Sequence, residues 1–526
     1  MGHASTLSVS LTGLDGSMVE VEADVSPGLP AFALVGLPDS STLQAKDRVR
    51  AAAARCGLHL AQRRITVNLS PAWQPKHGSG FDLAIAVAVL AAQEDLPQPP
   101  PPDTVLLGEL GLDGVLRPIP GVLPALLAAR DAGARRAVVP AGNLPEAQLV
   151  EGLDVEGAEH LATLLLRWGA DIPPPPDREE IPGTGGAAPR EDGSAGREDT
   201  ATGDAPGGHS PDFADVIGQA QARLAAEVAA AGAHHLLLVG PPGAGKTMIA
   251  SRLPGILPPL GTEDALVVSA IHSLSGGFDA RGGLLRTPPF ESPHHTASAA
   301  AVVGGGAGIA HPGAISRAHA GVLFLDEAPE FSARVLEALR EPLETGDVTL
   351  HRTRSVTRYP ARFQLVLAAN PCPCGKAWGK GADCSCSPLQ RRRYLSRLSG
   401  PVLDRVDMRL HVGPADIHRT AGEDTEPSAA IAARVAAARE RQAARYAGRP
   451  WSTNAHLPGP LLRGEFAPAP AERRLLEHAV AQGRLTLRGH DRVLRLAWTL
   501  ADLAGADAPA ADHIGLALTL REGDRR

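Results

Sequence analysis

The stretch Gly240, Pro241, Pro242, Gly243, Ala244, Gly245, Lys246, Thr247 limits what the chain can fold into more than any other feature. It matches G-x-x-x-x-G-K-[ST], with the apolar run Leu236–Val239 before it and an apolar helical segment after it. A strand, a glycine-rich turn and a helix in that order make a phosphate cradle. The glycines let backbone N–H groups close around phosphate oxygens, and the helix N-terminus favours negative charge. Lys246 can then reach the β/γ-phosphates, and the Thr247 hydroxyl can ligate Mg²⁺. A plain glycine-rich turn would not need those flanks. The expected cofactors are ATP and Mg²⁺.

The rest of a hydrolytic site follows in order. Val322–Leu325 is an apolar strand that ends in Asp326 and Glu327. Asp326 suits Mg²⁺ coordination through water, and Glu327 suits orienting and deprotonating the attacking water. Asn370, just after the apolar run Leu365–Ala368, fits a sensor that positions that water. Arg405 is expected to reach a neighbouring subunit's γ-phosphate, and Arg488 to contact the γ-phosphate from a helical lid. Surface salt bridges are the plainer alternative for both arginines.

Apolar strands recurring between helical segments indicate a parallel sheet covered on both faces. The fold class is therefore α/β, and 526 residues exceed one core. Residues 171–211 are rich in Pro, Gly, Asp and Glu, lack large apolar residues, and read as a flexible acidic linker. Before it, residues 1–170 form a mixed α/β domain. Strands are expected at Val19–Val25, Arg64–Asn68, Val105–Leu107 and Ala137–Val139, and helices at Gln44–Arg55, Leu83–Ala92 and Leu123–Ala132. After it, residues 212–416 form the ATPase core. Residues 417–526 form a helical lid, with helices expected at Ala429–Tyr446, Ala471–Ala481 and His490–Ala504.

The net charge of −7 gives no global attraction to nucleic acid, so any such surface must be local. Residues 1–10 lack a basic start followed by an apolar run, and no apolar stretch is long enough to span a bilayer. Five cysteines in a chain this long argue against a secreted disulfide scaffold. A cytoplasmic protein without a membrane partner is expected. Four of those cysteines, Cys372, Cys374, Cys384 and Cys386, form C-x-C-x₉-C-x-C, a set that suits a tetrahedral structural Zn²⁺. The C-x-C spacing is tighter than usual, and free thiols or a redox pair are the alternatives. Cys56, alone in a helical context, reads as core.

These motifs carry a resemblance. Asp215-Val-Ile-Gly-Gln219, Ser292-Pro-His-His-Thr296, Ile315-Ser-Arg-Ala-His319, Tyr359-Pro-Ala-Arg-Phe363, Asn370-Pro-Cys-Pro-Cys-Gly375 and Asn454-Ala-His-Leu457 resemble the magnesium-chelatase-type AAA+ family. The whole chain is similar to its ComM/YifB branch, upstream through Val35-Gly-Leu-Pro-Asp39 and Gly78-Ser-Gly-Phe-Asp82. The resemblance implies that Ile217 and Gly218 lie by the adenine and that the motor is a homo-hexamer. It also implies a helicase that migrates branched DNA during recombination, chiefly in natural transformation.

The residues agree with a DNA partner in one place. Val348–Arg358 alternates enough for a hairpin and carries Arg352, Arg354 and Arg358. A hairpin pointing into a ring's pore could grip a phosphate backbone without reading sequence. A solvated basic hairpin is the bland alternative. Arg391-Arg-Arg-Tyr394 is a second basic run, suited to DNA or to a subunit interface.

The N-terminal region resembles the proteolytic domain of Lon, an S5-like fold, through Glu109–Pro118 and Gly121–Ala129. Aligned on Pro118-Ile119 and Leu126–Ala129, the position of Lon's catalytic lysine holds Leu123, and Ser79 lies outside the protease motif. A serine without its base is not activated, so proteolysis is not expected. The remaining rival is a chelatase-type motor for metal insertion or partner remodelling.

Overall fold

A computed structural model of the chain describes residues 2–175, 211–306, 310–351, 356–379, 383–398, 400–414 and 425–523. Most of the expected linker, Arg352, Arg354 and the expected boundary at 416/417 lie outside the described residues.

The N-terminal part is built on a seven-stranded sheet. Its strands are β1 (Gly2–Thr12), β2 (Asp15–Ser26), β3 (Ala31–Val35), β4 (Arg64–Ser70), β5 (Thr104–Leu106), β6 (Arg136–Pro140) and β7 (Asp154–Ala158), in the spatial order β3-β4-β2-β1-β5-β6-β7. Helices α1 (Ala45–Arg55), α2 (Asp82–Ala92), α3 (Val122–Asp131) and α4 (Leu161–Arg167) pack on it. Every residue of α2 from Asp82 to Leu90 is buried, which explains its uninterrupted apolar sequence. The single charged group there, Asp82, pairs with Arg48 at 2.5 Å and accepts from Leu110 N–H. Alone in that core, its carboxylate would cost several kcal/mol, roughly the penalty of an unpaired buried ion.

The second part is a five-stranded sheet, all parallel among the described pairs. The strands are β8 (Leu236–Val239), β9 (Phe290–Glu291), β10 (Val322–Leu325), β13 (Gln364–Ala369) and β14 (Met408–His411), ordered β9-β10-β13-β8-β14. Between β10 and β13 an antiparallel hairpin intervenes, β11 (Asp347–His351) with β12 (Val356–Pro360), as the alternation predicts. Helices α5 (Ala220–Gly232), α6 (Lys246–Arg252), α7 (Thr262–Leu274) and α8 (Pro388–Leu395) belong to this part. Beyond it, α9 (Ser428–Arg445), α10 (Arg474–Ala481), α11 (Leu487–Leu503) and α12 (Ala511–Glu522) share one apolar core with α5, β8 and β14. Two helix starts differ from expectation. α10 begins at Arg474 because residues 471–473 form turns, and α11 begins at Leu487 because the Thr486 hydroxyl accepts Gly489 N–H at 3.1 Å and caps it there.

The two parts meet along α3 and α7. Val122, Leu123 and Leu126 share a cluster with Ala270, Phe278 and Leu284. At its centre the buried Glu146 carboxylate accepts from Leu123 N–H at 2.9 Å and from the Ser273 hydroxyl. Burial pushes the Glu146 carboxyl up.

Candidate nucleotide-hydrolysis site

In an open parallel sheet, ligands bind beyond the carboxyl ends of the strands. Register brings the expected site residues there. Val239 pairs with Ala369, so the loop after β8 and Asn370 after β13 start side by side, and Gly240 N–H donates to Ala369 O at 3.1 Å. Leu325 pairs with Leu367 on the other side of β13, which delivers Asp326 and Glu327 to the same edge. β14, which the sequence pattern does not announce, closes the far side of β8.

Residues 240–247 run from β8 into α6, with Gly243 and Gly245 at φ +75° and +85°. No atom lies within 4 Å of a Cβ built on Gly243, so its backbone faces open space. Lys246 is 7% exposed, and its ammonium donates to Gly240 O at 2.7 Å, Pro241 O at 2.9 Å and Asn370 Oδ1 at 3.2 Å. Burial pulls its pKa down while the charges of Asp326 and Glu327 push it up. The Thr247 hydroxyl donates to Asp326 Oδ2 at 2.8 Å. Two converging oxygens and an open backbone loop fit a hard divalent cation carrying phosphate oxygens.

Glu327 adopts φ +49°, a left-handed backbone that a residue with a Cβ adopts at a cost on the order of 1 kcal/mol. Its N–H donates to Asp326 Oδ1 at 2.9 Å, which ties the two carboxylates into one turn. His295 has no role that its place in the sequence would suggest, yet its Nδ1 lies 3.3 Å from Glu327 Oε2, and its ring lies 4.2 Å from that of His294.

Ile217 is 48% exposed, Gly218 takes φ +66°, and the next side chain anchors the loop. Gln219 donates to Gly413 O at 2.6 Å and to Ala244 O within the glycine-rich loop at 3.4 Å.

Arg405 and Arg488 come together: Arg340, Arg488 and Arg492 all act on the Arg405 charge, after burial, to lower its pKa. Arg405 pairs with Glu344 and donates to Pro401 O at 2.5 Å. Its turn is fixed from below by the buried Asp407, which accepts from His235 N–H at 3.0 Å and pairs with Arg492. Burial alone would raise Asp407, but Arg492 and His234 hold it well below the usual carboxylate range.

Of the three hairpin arginines, Arg358 lies among the described residues. Arg358, on β12, pairs with Asp347 at 2.5 Å and remains exposed. Arg391 and Arg392, in the second basic run, lie on α8. Ser79 donates to Glu109, and Leu123 is fully buried. The buried Lys76 spends its ammonium on the carbonyls of Leu69 and Pro71.

The order β9-β10-β13-β8-β14 with this edge site defines an AAA+ ATPase fold beside an S5-like α/β domain. Comparison with known proteins names the family. Residues 212–420 match "Magnesium chelatase, subunit ChlI", residues 21–143 match "Subunit ChlI of Mg-chelatase", and residues 425–521 match "Magnesium chelatase, subunit ChlI C-terminal". The chain is 50% identical over 527 residues to an uncharacterized protein of Mycobacterium tuberculosis (strain ATCC 25618 / H37Rv), covering 100% of both. It is 41% identical to YifB of Escherichia coli (strain K12), over 98% of this chain and 96% of that one. It is 38% identical to competence protein ComM of Haemophilus influenzae, over 99% and 98%. The chain belongs to the magnesium-chelatase-like ComM/YifB family. No helix among the described residues is long and apolar enough to cross a membrane.

Proposed function

We propose that the protein is an Mg²⁺-dependent ATPase that assembles into a ring, a hexamer, and drives branch migration on DNA. The observation that carries the ATPase reading is the convergence of Lys246, Thr247, Asp326, Glu327 and Asn370 at one sheet edge. Bound ATP supplies the phosphoryl group, and Mg²⁺ neutralises charge on its oxygens. Thr247 and Asp326 would hold the metal, and the Lys246 ammonium, now on the loop carbonyls, would donate to the phosphates. Glu327 takes the proton of the attacking water, which Asn370 helps to orient. Ile217 and Gly218 flank the adenine. Arg405 serves the neighbouring subunit's site and Arg488 contacts the γ-phosphate from the lid, a reading supported by the crowding of guanidinium charge around Arg405.

The DNA reading rests on full-length similarity to a competence protein and on the arginine-bearing hairpin between β10 and β13. Arg352, Arg354 and Arg358 grip phosphates, so binding is independent of sequence. DNA affinity should fall steeply with salt, and changing all three to Ala should flatten that slope while basal ATPase survives. An unchanged slope in the triple variant rejects the hairpin as the grip. The matching family descriptions favour a second reading, a chelatase-type motor for metal insertion. Absence of DNA-stimulated ATPase would move that reading first.

A further inference from the structure

The segment between β13 and the Arg405 turn leaves the nucleotide site at Asn370 and returns to it. On the way out it carries Cys372 and Cys374, and on the way back Cys384 and Cys386. Their four sulfur atoms all lie within 4.8 Å of one another. Cys372 Sγ is 3.3 Å from Cys374 Sγ and 3.6 Å from Cys384 Sγ, and Cys374 Sγ is 3.5 Å from Cys384 Sγ. A tetrahedral Zn²⁺ with bonds of about 2.3 Å sets its sulfurs about 3.8 Å apart. A disulfide would need about 2.05 Å, and all four cysteines are free. Backbone N–H groups already point at the sulfurs, from Ala377 to Cys372 and from Lys376 to Cys374. Such donors stabilise thiolate charge around a metal.

The cluster touches the nucleotide site on three sides. Asn370, two residues before Cys372, accepts from Lys246. Gly375 lies so close to the phosphate loop that a Cβ there would sit 2.7 Å from Pro242 Cδ. Cys386 leads directly into α8, whose N-cap is Ser387 and whose buried Tyr394 accepts the backbone N–H of Asn370. The first turn of α8 is tied back to the excursion by Arg391 Nε, which donates to Cys386 O at 3.2 Å.

We propose that Cys372, Cys374, Cys384 and Cys386 bind one Zn²⁺ as thiolates, and that this metal staples the excursion so that Asn370 and the Pro242 turn are held in register. The metal half stands on the sulfur geometry alone. The positioning half rests on the nucleotide-site reading of Asn370.

The test uses the full-length protein purified in reductant without chelator. Atomic emission should find about one Zn²⁺ per chain, and exchange with Co²⁺ should give the intense visible bands of a tetrahedral thiolate site. Cys384→Ser with Cys386→Ser should lose the metal. At saturating ATP its kcat should fall about tenfold or more, because small misplacements of a positioning group cost that much. A metal-free wild type that is folded, or one with a disulfide in the cluster, overturns the proposal. A metal-free variant with wild-type kcat overturns its positioning half. Should the variant fail to fold, Zn²⁺ release from wild type by a mercurial, which caps the thiolates in the metal's place, decides the metal half: release of about one Zn²⁺ per chain supports it, and release of none overturns it. A wild type with Zn²⁺ and no ATPase would refute the nucleotide-site reading and leave the metal site standing.

Discussion

His295 Nδ1 lies 3.3 Å from Glu327 Oε2 and comes from a loop far away in sequence. The contact holds a carboxylate whose own backbone is left-handed, so two restraints fix where Glu327 points. If Glu327 is the base proposed above, His295 is expected to act as a positioning residue. His295→Ala should lower kcat about tenfold with little change in the KM for ATP, and His295→Gln should recover part of it by restoring a donor. Steady-state kinetics checks this, and an equal rise in KM with unchanged kcat would contradict it.

Lys246→Ala and Glu327→Gln should abolish turnover by different routes. Without Lys246 the phosphates lose their charged donor, so equilibrium ATP binding should weaken. Without the Glu327 base, binding should persist while hydrolysis falls by roughly 10²–10⁴. Filter binding and single-turnover hydrolysis separate the two, and robust turnover in Glu327→Gln would remove that residue from the role.

The role proposed for Arg405 requires an oligomer. Arg405→Ala should assemble and bind ATP, yet hydrolyse on the order of a thousandfold more slowly. Mixing it with Lys246→Ala subunits should restore hydrolysis, since intact Arg405 then meets intact loops. A wild type fully active as a monomer would contradict a finger acting in trans.

Acid should destabilise the fold through two imidazoles, the half-buried His235 and the buried His319. His235 Nδ1 accepts Leu365 N–H at 3.0 Å, and His319 Nδ1 accepts Arg362 N–H at 3.0 Å, so both must be neutral. Burial pushes each down to about 4 from an ordinary 6.5. The unfolded chain thus binds more protons below pH 6.5. The stability each histidine contributes is complete above 6.5 and is lost as pH falls toward 4, by up to about 1.4 kcal/mol per pH unit. Melting curves across that window should drop, and less steeply for His319→Gln. A parallel drop in the variant would exclude His319.

Where the sequence was legible, burial on both faces made it so. Leu236–Val239 and Val322–Leu325 are continuous apolar runs because both faces of a central parallel strand are covered, and their bounds match. Met408–His411 is equally central to the site but alternates with Arg409 and His411, so its four residues carry no run to read. β1 is poorly marked in the sequence, because Thr6, Ser8 and Ser10 are buried polar positions supported by a long pairing with β2. The motif at residues 240–247 is readable because its spacing is local. The His295–Glu327 contact, the Arg405–Asp407–Arg492 turn and the packing of Gly375 on Pro242 exist only through tertiary approach, which spacing along the chain does not encode.

Strand separation on a forked DNA duplex decides whether the protein is a DNA motor, comparing wild type and Glu327→Gln with and without ATP at moderate salt. Separation is expected only from the wild type with ATP and Mg²⁺, with the same rate on forks of unrelated sequence. No separation under any of these conditions, from a protein that hydrolyses ATP, would contradict a DNA motor.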